Sequence, residues 1–179
     1  MRRQYIGFAK PAAIAVLICS ALPAMPQLFK ADEKPIFAEL NGISCKGASD
    51  SAFPGFAVAS FTFGDSLATS TGSAGQTTGK ASFQDISIVK GLDDCTPLLF
   101  EAVAKGSHLP TATITVVGKG KVPVLVIQLT NVFVTSDKFT EGAARELDEV
   151  LTLSYSKITI THVPSGNKVT IDVATGSVG

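Results

Sequence analysis

The sequence contains no tryptophan, only two histidines and two tyrosines, and no excess of charge of either sign. Fifteen basic residues balance fifteen acidic ones. The chain therefore lacks the positive field that holds a nucleic-acid backbone, and we expect no nucleic-acid partner. Charged residues are 17% and hydrophobic residues 45% of the 179 residues, which is too apolar for a disordered chain. The length suits one domain.

Motifs for catalysis and metal binding are also missing. Neither His108 nor His162 has a cysteine or carboxylate at metal-ligand spacing, so we expect no metal and no cofactor, and we place both histidines at the surface. No Gly-x-Ser-x-Gly elbow occurs. The pair Gly79-Lys80 resembles part of a phosphate-binding loop, but Ala74 stands where that loop requires a glycine. We therefore predict that the protein is not an enzyme and has no catalytic residues.

Two pairs of neighbouring carboxylates are the remaining candidates for acid–base chemistry. Asp93-Asp94 stands just before a predicted helix, where negative charge suits the positive end of the helix dipole. Asp148-Glu149 stands at the entry to a predicted strand, where we expect a solvated surface. We interpret both pairs as structural.

The N-terminus has the layout of a secretory signal peptide. Three basic residues lie among the first ten, and the apolar run 12–22 follows them. We predict that residues 1–24 are a signal peptide cleaved near Ala24 and that residues 25–34 are a linker. An uncleaved membrane anchor is the alternative, and a lipoprotein site at Cys19 is disfavoured because a large residue precedes it.

Removal of the leader leaves 155 residues with a net charge of −3 and two cysteines, Cys45 and Cys95. Disulfides persist in the oxidising compartments that exported proteins reach, so we predict that Cys45 and Cys95 pair. The closed loop of about 50 residues is worth roughly 4 kcal/mol in the chain-entropy treatment. The alternative is two separate buried thiols that pack as small hydrophobic groups. The predicted location is secreted or periplasmic, with no membrane association after cleavage.

Patterns with a period of two predict about seven strands. They cover residues 35–43, 56–63, 80–90, 111–116, 123–135, 150–163 and 168–173. Along 150–163 the apolar residues move from odd to even positions, which predicts a bulge near Ser156 and Lys157. Residues 64–79 are rich in Gly, Ser and Thr and are predicted to be a long exposed loop.

One helix interrupts the strands. Thr96 is the predicted N-cap, Pro97 suits the first turn, and Gly106 ends the helix. An apolar stripe at helical spacing requires that the helix lie on a sheet; it consists of Leu98, Leu99, Ala102 and Val103. Strands that are mostly joined as neighbours, with one helix, predict a mainly β antiparallel sandwich or barrel.

Several segments together resemble a known family. The segment Lys80–Lys90, with Asp93 and the triplet Thr96-Pro97-Leu98 after it, leads into Lys105–His108 at the end of the predicted helix. The other segments are Glu39–Ile43 with Lys46-Gly47, Val122–Ser136 and Glu146–Val163. They resemble the haemolysin-coregulated protein family, the tube subunits of type VI secretion. The resemblance covers roughly residues 35–174, which we take as the domain, with residues 175–179 as a tail.

The resemblance implies two antiparallel β-sheets that form a barrel with one flanking α-helix. It implies homohexameric rings that stack into a tube, with spike or effector proteins of a secretion apparatus as further partners and no catalytic residues. Residues 64–79 resemble the family's extended loop, which reaches toward the next ring. Because tube-forming members generally lack a cleaved signal peptide, the leader points to a secreted relative, itself an effector or an effector carrier. The alternatives are an exported monomeric binding or adhesion module and a hydrolase with an unrecognised site.

Overall fold

Strands dominate the part of the chain that the structure, a computed structural model, describes: residues 35–45, 53–72, 75–141 and 147–179. These residues belong to one compact unit, Glu33–Gly179. The predicted signal peptide and linker lie outside the described residues. The elements are β1 (Ile36–Leu40), β2 (Phe56–Val58), β3 (Ser60–Thr62), β4 (Asp65–Gly72), β5 (Gly75–Phe83), β6 (Ile86–Gly91), α1 (Thr96–Lys105), β7 (His108–Val117), a 3-10 turn (Lys119–Lys121), β8 (Pro123–Glu141), β9 (Leu147–Ser154), β10 (Lys157–His162) and β11 (Asn167–Asp172).

The strand β8, which is 19 residues long, organises the main sheet. Its first half pairs with β7 on one side and with β10 on the other, and its second half pairs with β9. The full order is β2-β1-β7-β8-β9-β6-β3, with β11 attached to β10, and every pairing is antiparallel. The predicted mainly β, antiparallel class is confirmed.

The two ends of this strand order are joined by consecutive residues. The predicted strand over 56–63 is divided into β2, which pairs with β1, and β3, which pairs with β6. Only Ala59 separates the two, and its N–H donates to the carbonyl of Val89 over 2.8 Å. The segment therefore passes from one edge of the sheet to the other, which gives the wrapped arrangement that the resemblance implies.

The inward face changes parity halfway along the barrel. On β8 the buried residues are Ile127 and Leu129, then Val132 and Val134, and the switch falls at Asn131, whose φ is 54°. Beside it, the buried residues are Leu151 and Leu153 of β9 and then Ile158 of β10. The inward face thus changes at the same level on β8 and between β9 and β10, as it does when a chain crosses from one sheet to another.

The prediction of a bulge near Ser156 and Lys157 is wrong, because no extra residue is inserted there. The ladder is interrupted there, but Ser154 pairs with Phe133 and Lys157 pairs with Thr130, so equal numbers of residues lie between the pairs on the two strands. The inserted residue is on β8 instead, where the register shifts between Val134 and Ser136. Sequence periodicity located the change of face, but it could not show that no extra residue is inserted there.

The predicted exposed loop over 64–79 is also wrong, because β4 and β5 form an antiparallel hairpin there. Its ladder pairs polar residues with polar residues, as in Thr69 with Thr78. A hairpin that is exposed on both faces needs no alternation of apolar residues, so the pattern that identifies half-buried strands was missing. The predicted strand over 80–90 is likewise divided, since β5 ends at Phe83 and β6 begins at Ile86.

The N-cap of the helix α1 lies one residue before the predicted one, and the helix itself begins at Thr96. Cys95 is the N-cap and makes no side-chain capping bond, and Pro97 follows in the first turn. Gly106 ends the helix as predicted, with a left-handed φ of 60° that a residue with a side chain adopts less readily. Leu99 and Ala102 are buried, and α1 packs on β8. No helix in the described part of the chain is long and apolar enough to cross a membrane.

Candidate functional site

The two predicted disulfide partners lie together. Cys45 follows β1 and Cys95 starts α1; their Sγ atoms are bonded, and their Cα atoms are 5.1 Å apart across a sequence separation of 50. Cys95 is fully buried in the core and Cys45 packs against its margin. The bond therefore attaches the start of the helix to the end of the first strand.

The other residues that the sequence singled out are dispersed. His108 is exposed and its ring lies 5.2 Å from that of Phe133, while His162 is exposed with Nδ1 2.8 Å from the hydroxyl of Ser165. Lys80, from the loop-like Gly-Lys pair, donates to the carbonyl of Ala174. In the described ranges no group of three or more His, Cys, Asp or Glu residues could hold a metal ion.

Glu149 corrects a prediction. The pair Asp148-Glu149 was expected on a solvated strand entry, but Glu149 is fully buried. It lies on the same face of β9 as Leu151 and Leu153, because alternate residues of a strand share a face. That parity was readable from the sequence, and it would have placed Glu149 inside.

The carboxylate of Glu149 meets a buried lysine from the neighbouring strand. Lys90 is directly opposite on β6, is fully buried, and its Nζ lies 2.7 Å from Glu149 Oε2. The same Nζ lies 2.8 Å from Asp93 Oδ1, 3.3 Å from the Thr96 hydroxyl and 5.4 Å from the centre of the Phe56 ring. A buried ammonium group is tolerated when such partners replace its lost hydration.

The start of α1 is bound into this group of charges. The Thr96 hydroxyl donates to Glu149 Oε2 over 2.6 Å and accepts from the N–H of Asp93 over 3.1 Å. Asp93 Oδ1 in turn accepts from the N–H of Cys95 over 2.8 Å. Thr96 therefore stabilises the start of the helix through its hydrogen bonds to the barrel, and it is not the N-cap.

Asp137 completes the charge cluster, which we define as the buried Lys90 and Glu149 together with the partly buried Asp93 and Asp137. The extra residue in β8 turns Asp137 to the inward side, where it pairs with Leu151 and lies diagonally across from Glu149. The pKa of Asp137 is raised to about 6: burial is the largest cause, the negative charge of Glu149 also raises the pKa, and the positive charge of Lys90 opposes this rise. No motif in the sequence pointed to Asp137, because its orientation depends on the bulge.

Several apolar side chains remain exposed on the described surface. Phe100 of α1 stacks on Phe139 of β8 with ring centres 6.4 Å apart, and both rings are about half exposed. Leu67 projects from the β4–β5 hairpin.

A cavity of about 230 Å³ lies between the base of the hairpin and β10–β11, where the Tyr155 hydroxyl donates to the carbonyl of Gln84 over 2.9 Å. Burial and the nearby negative charges of Asp85 and Asp65 raise the pKa of Tyr155.

The free side of β11 is covered by the last residues of the chain. Thr170 and Gly179 exchange two backbone hydrogen bonds of 2.9 Å, and the N–H of Asp172 donates to the carbonyl of Ser177 over 3.0 Å. The residues predicted as a tail therefore pair along an edge that would otherwise offer backbone groups to another strand.

This antiparallel barrel with one flanking helix is an architecture found in solved type VI secretion proteins. A structure described as that of a type six secretion system protein superposes with a TM-score of 0.70 at 18% identity, over 82% of this chain and 99% of that one. Hcp1 from Salmonella typhimurium gives a TM-score of 0.69 at 18% identity over the same shares. A type VI secretion system effector from Yersinia pestis gives 0.60 at 20% identity, over 77% of this chain and 99% of that one.

The sequence itself assigns the family. Residues 37–162 match the family described as "Type VI secretion system effector, Hcp". The chain belongs to this family, whose members are structural tube proteins. Protein hcp1 of Pseudomonas aeruginosa is 35% identical over 90 residues, which are 48% of this chain and 55% of that protein. The match thus spans about half the length of this curated relative.

Proposed function

We propose that the protein is an exported structural subunit that assembles into homohexameric rings, which stack as in a type VI secretion tube. The family match over residues 37–162 is the observation that carries this proposal. A ring formed by one kind of chain uses two different faces of each subunit, repeated around an axis. Spike or effector proteins of a secretion apparatus are its further proposed partners, and the protein is itself an effector or effector carrier.

Export rests on two features that reinforce each other. The basic and apolar layout of residues 1–24 is that of a cleavable leader, and the remaining cysteines are bonded to each other in the structure. Disulfides form in compartments outside the cytoplasm. We therefore propose cleavage near Ala24 and a secreted or periplasmic mature protein.

The exposed surfaces suit self-assembly. The stacked Phe100 and Phe139 and the exposed Leu67 are large apolar groups on a protein whose own core is already filled by other residues. Apolar groups left outside a core are typical of contact surfaces. The β4–β5 hairpin is the part that we propose reaches the next ring.

The test uses the full chain, expressed with its own leader and recovered from the periplasm and the medium. N-terminal sequencing finds the cleavage point, light scattering after size exclusion gives the mass, and electron microscopy shows the shape. We expect about six times the subunit mass and annular particles. A matched chain without residues 2–24 should stay in the cytoplasm with its thiols reduced.

A monomer at every concentration would overturn the ring and favour the second candidate, an exported monomeric binding or adhesion module. The covered edge of β11 supports that candidate, since it removes one strand edge from assembly. Retention of the full chain in the cytoplasm would overturn export.

A further inference from the structure

Among the residues that the structure describes, three buried carboxylate oxygens have no hydrogen-bond partner. They are both oxygens of Asp137 and Oε1 of Glu149. Part of the Asp137 side chain reaches solvent, but its oxygens do not, and Glu149 is fully buried. Such groups are costly, because an ionised carboxylate in the interior loses its hydration and needs donors in exchange.

The nearest cation has no donor left for them. A lysine ammonium group carries three protons. Those of Lys90 have three acceptors already, on Glu149 Oε2, Asp93 and Thr96. The hydroxyl of Thr96 is also used, since it donates to Glu149 Oε2.

Two ionised carboxylates cannot satisfy each other, because both only accept hydrogen bonds. If one of them is protonated, its O–H donates to the other, and like charges no longer face each other. We propose that Asp137 keeps a proton and donates it in a hydrogen bond to Glu149, and that this hydrogen bond holds the start of α1 against β6, β8 and β9, so that the protein is more stable in mild acid than in mild alkali.

The charged groups around Asp137 favour this arrangement. From β9 it faces Glu149, and from β6 it faces Lys90, which is shared with Asp93 from the segment before α1. On α1 itself, Glu101 and Lys105 are exposed and pair with each other. With this proton on Asp137, the cluster carries one net negative charge in place of two.

The direction of the pH effect follows from the pKa of Asp137, which is raised from 3.8 to about 6. The folded protein keeps a proton that the unfolded chain releases. The resulting stabilisation is complete below pH 3.8 and is lost as the pH rises through about 6. Between pH 7.5 and pH 5.0 the folding equilibrium constant should rise by up to about tenfold from this group alone.

The decisive variant is Asp137→Asn in the exported full chain. Its amide has the shape of the acid and donates to Glu149 Oε1 at every pH. Urea unfolding at pH 5.0 and 7.5, followed by circular dichroism, should show that the variant loses the acid stabilisation of the wild type. Its stability at pH 7.5 should equal or exceed that of the wild type. The control is Asp94→Asn, an exposed carboxylate in the segment before α1, which should keep the wild-type pH dependence.

A second measurement follows the stability of the start of α1 directly. Hydrogen exchange of the peptide 93–105, corrected for the intrinsic rate, should be slower at pH 5.0 than at pH 7.5 in the wild type and should not depend on pH in Asp137→Asn. The proposal is overturned if Asp137→Asn keeps the wild-type pH dependence, if Asp94→Asn loses it equally, or if exchange of this peptide is the same at both pH values in the wild type. These readouts concern the folded subunit and do not depend on ring assembly.

Discussion

Removal of the Cys45–Cys95 bond by Cys45→Ala should cost a large part of the stability of this protein. The bond closes a loop over a sequence separation of 50 residues. Loop-closure entropy for that length corresponds to about 4 kcal/mol. Cys45 is the better position to change, because Cys95 lies fully inside the core and its free thiol can remain there as a small apolar group.

The free energy of unfolding is measured by urea titration of the exported full chain without reductant. We expect Cys45→Ala to lose about 4 kcal/mol, which corresponds to a fall in melting temperature of roughly 8–16 °C for a chain of this size. Wild-type protein treated with dithiothreitol should reproduce the variant, whereas the variant itself should not respond to the reductant. Ser44→Ala, an exposed neighbour, is the matched control and should leave stability unchanged.

Three results would refute this reasoning. The first is a loss of less than about 1 kcal/mol in Cys45→Ala, because loop entropy would then not govern the stabilisation. The second is a further loss when the reductant is added to the variant. The third is the detection of both thiols of residues 45 and 95 as free groups in the folded wild-type protein.

Three other substitutions test the packing. Lys90→Met should lower the free energy of unfolding by about 3–5 kcal/mol in urea titration, because it removes the ammonium group that pairs with the buried carboxylate of Glu149; a loss below 1 kcal/mol would contradict this. Gly55→Ala should abolish soluble folded protein, because the backbone there has a φ of 91° and the new Cβ would lie 1.9 Å from the carbonyl oxygen of Ala38. Gly91→Ala, where a Cβ meets nothing within 4 Å, is its control, and equal yields would be inconsistent with the clash. Tyr155→Phe should cost only about 0.5–1.5 kcal/mol, the value of one hydrogen bond, and an unchanged urea midpoint would argue against that bond.

Local sequence signals were sufficient for the elements that have one buried face. The strand β7 and the helix α1 show the periods of 2 and 3.6 that burial on one side imposes, and both are present with their ends near the predicted positions. The left-handed end of α1 at Gly106 is a local property of one residue and was also predictable.

Sequence patterns that depend on burial did not identify the strands that bury neither face. The β4–β5 hairpin is polar on both faces, so its sequence resembles that of a loop. The break between β5 and β6 depends on where the chain leaves the hairpin, as the bond from the N–H of Gln84 to the carbonyl of Gly64 shows. Neither the hairpin nor the break between β5 and β6 changes the residue types along this part of the chain in a way that marks it.

The sequence by itself determined the mainly β class, the helix α1, the likeness to tube subunits of type VI secretion and the two cysteines that form the bond. Each of these depends on residue types and spacings along the chain. Only the tertiary structure decided that Glu149 is buried beside Lys90 and that Asp137 lies against it. The physical reason is that β6, β8 and β9 are distant in sequence, and the single extra residue in β8 turns Asp137 inward only when these strands are paired.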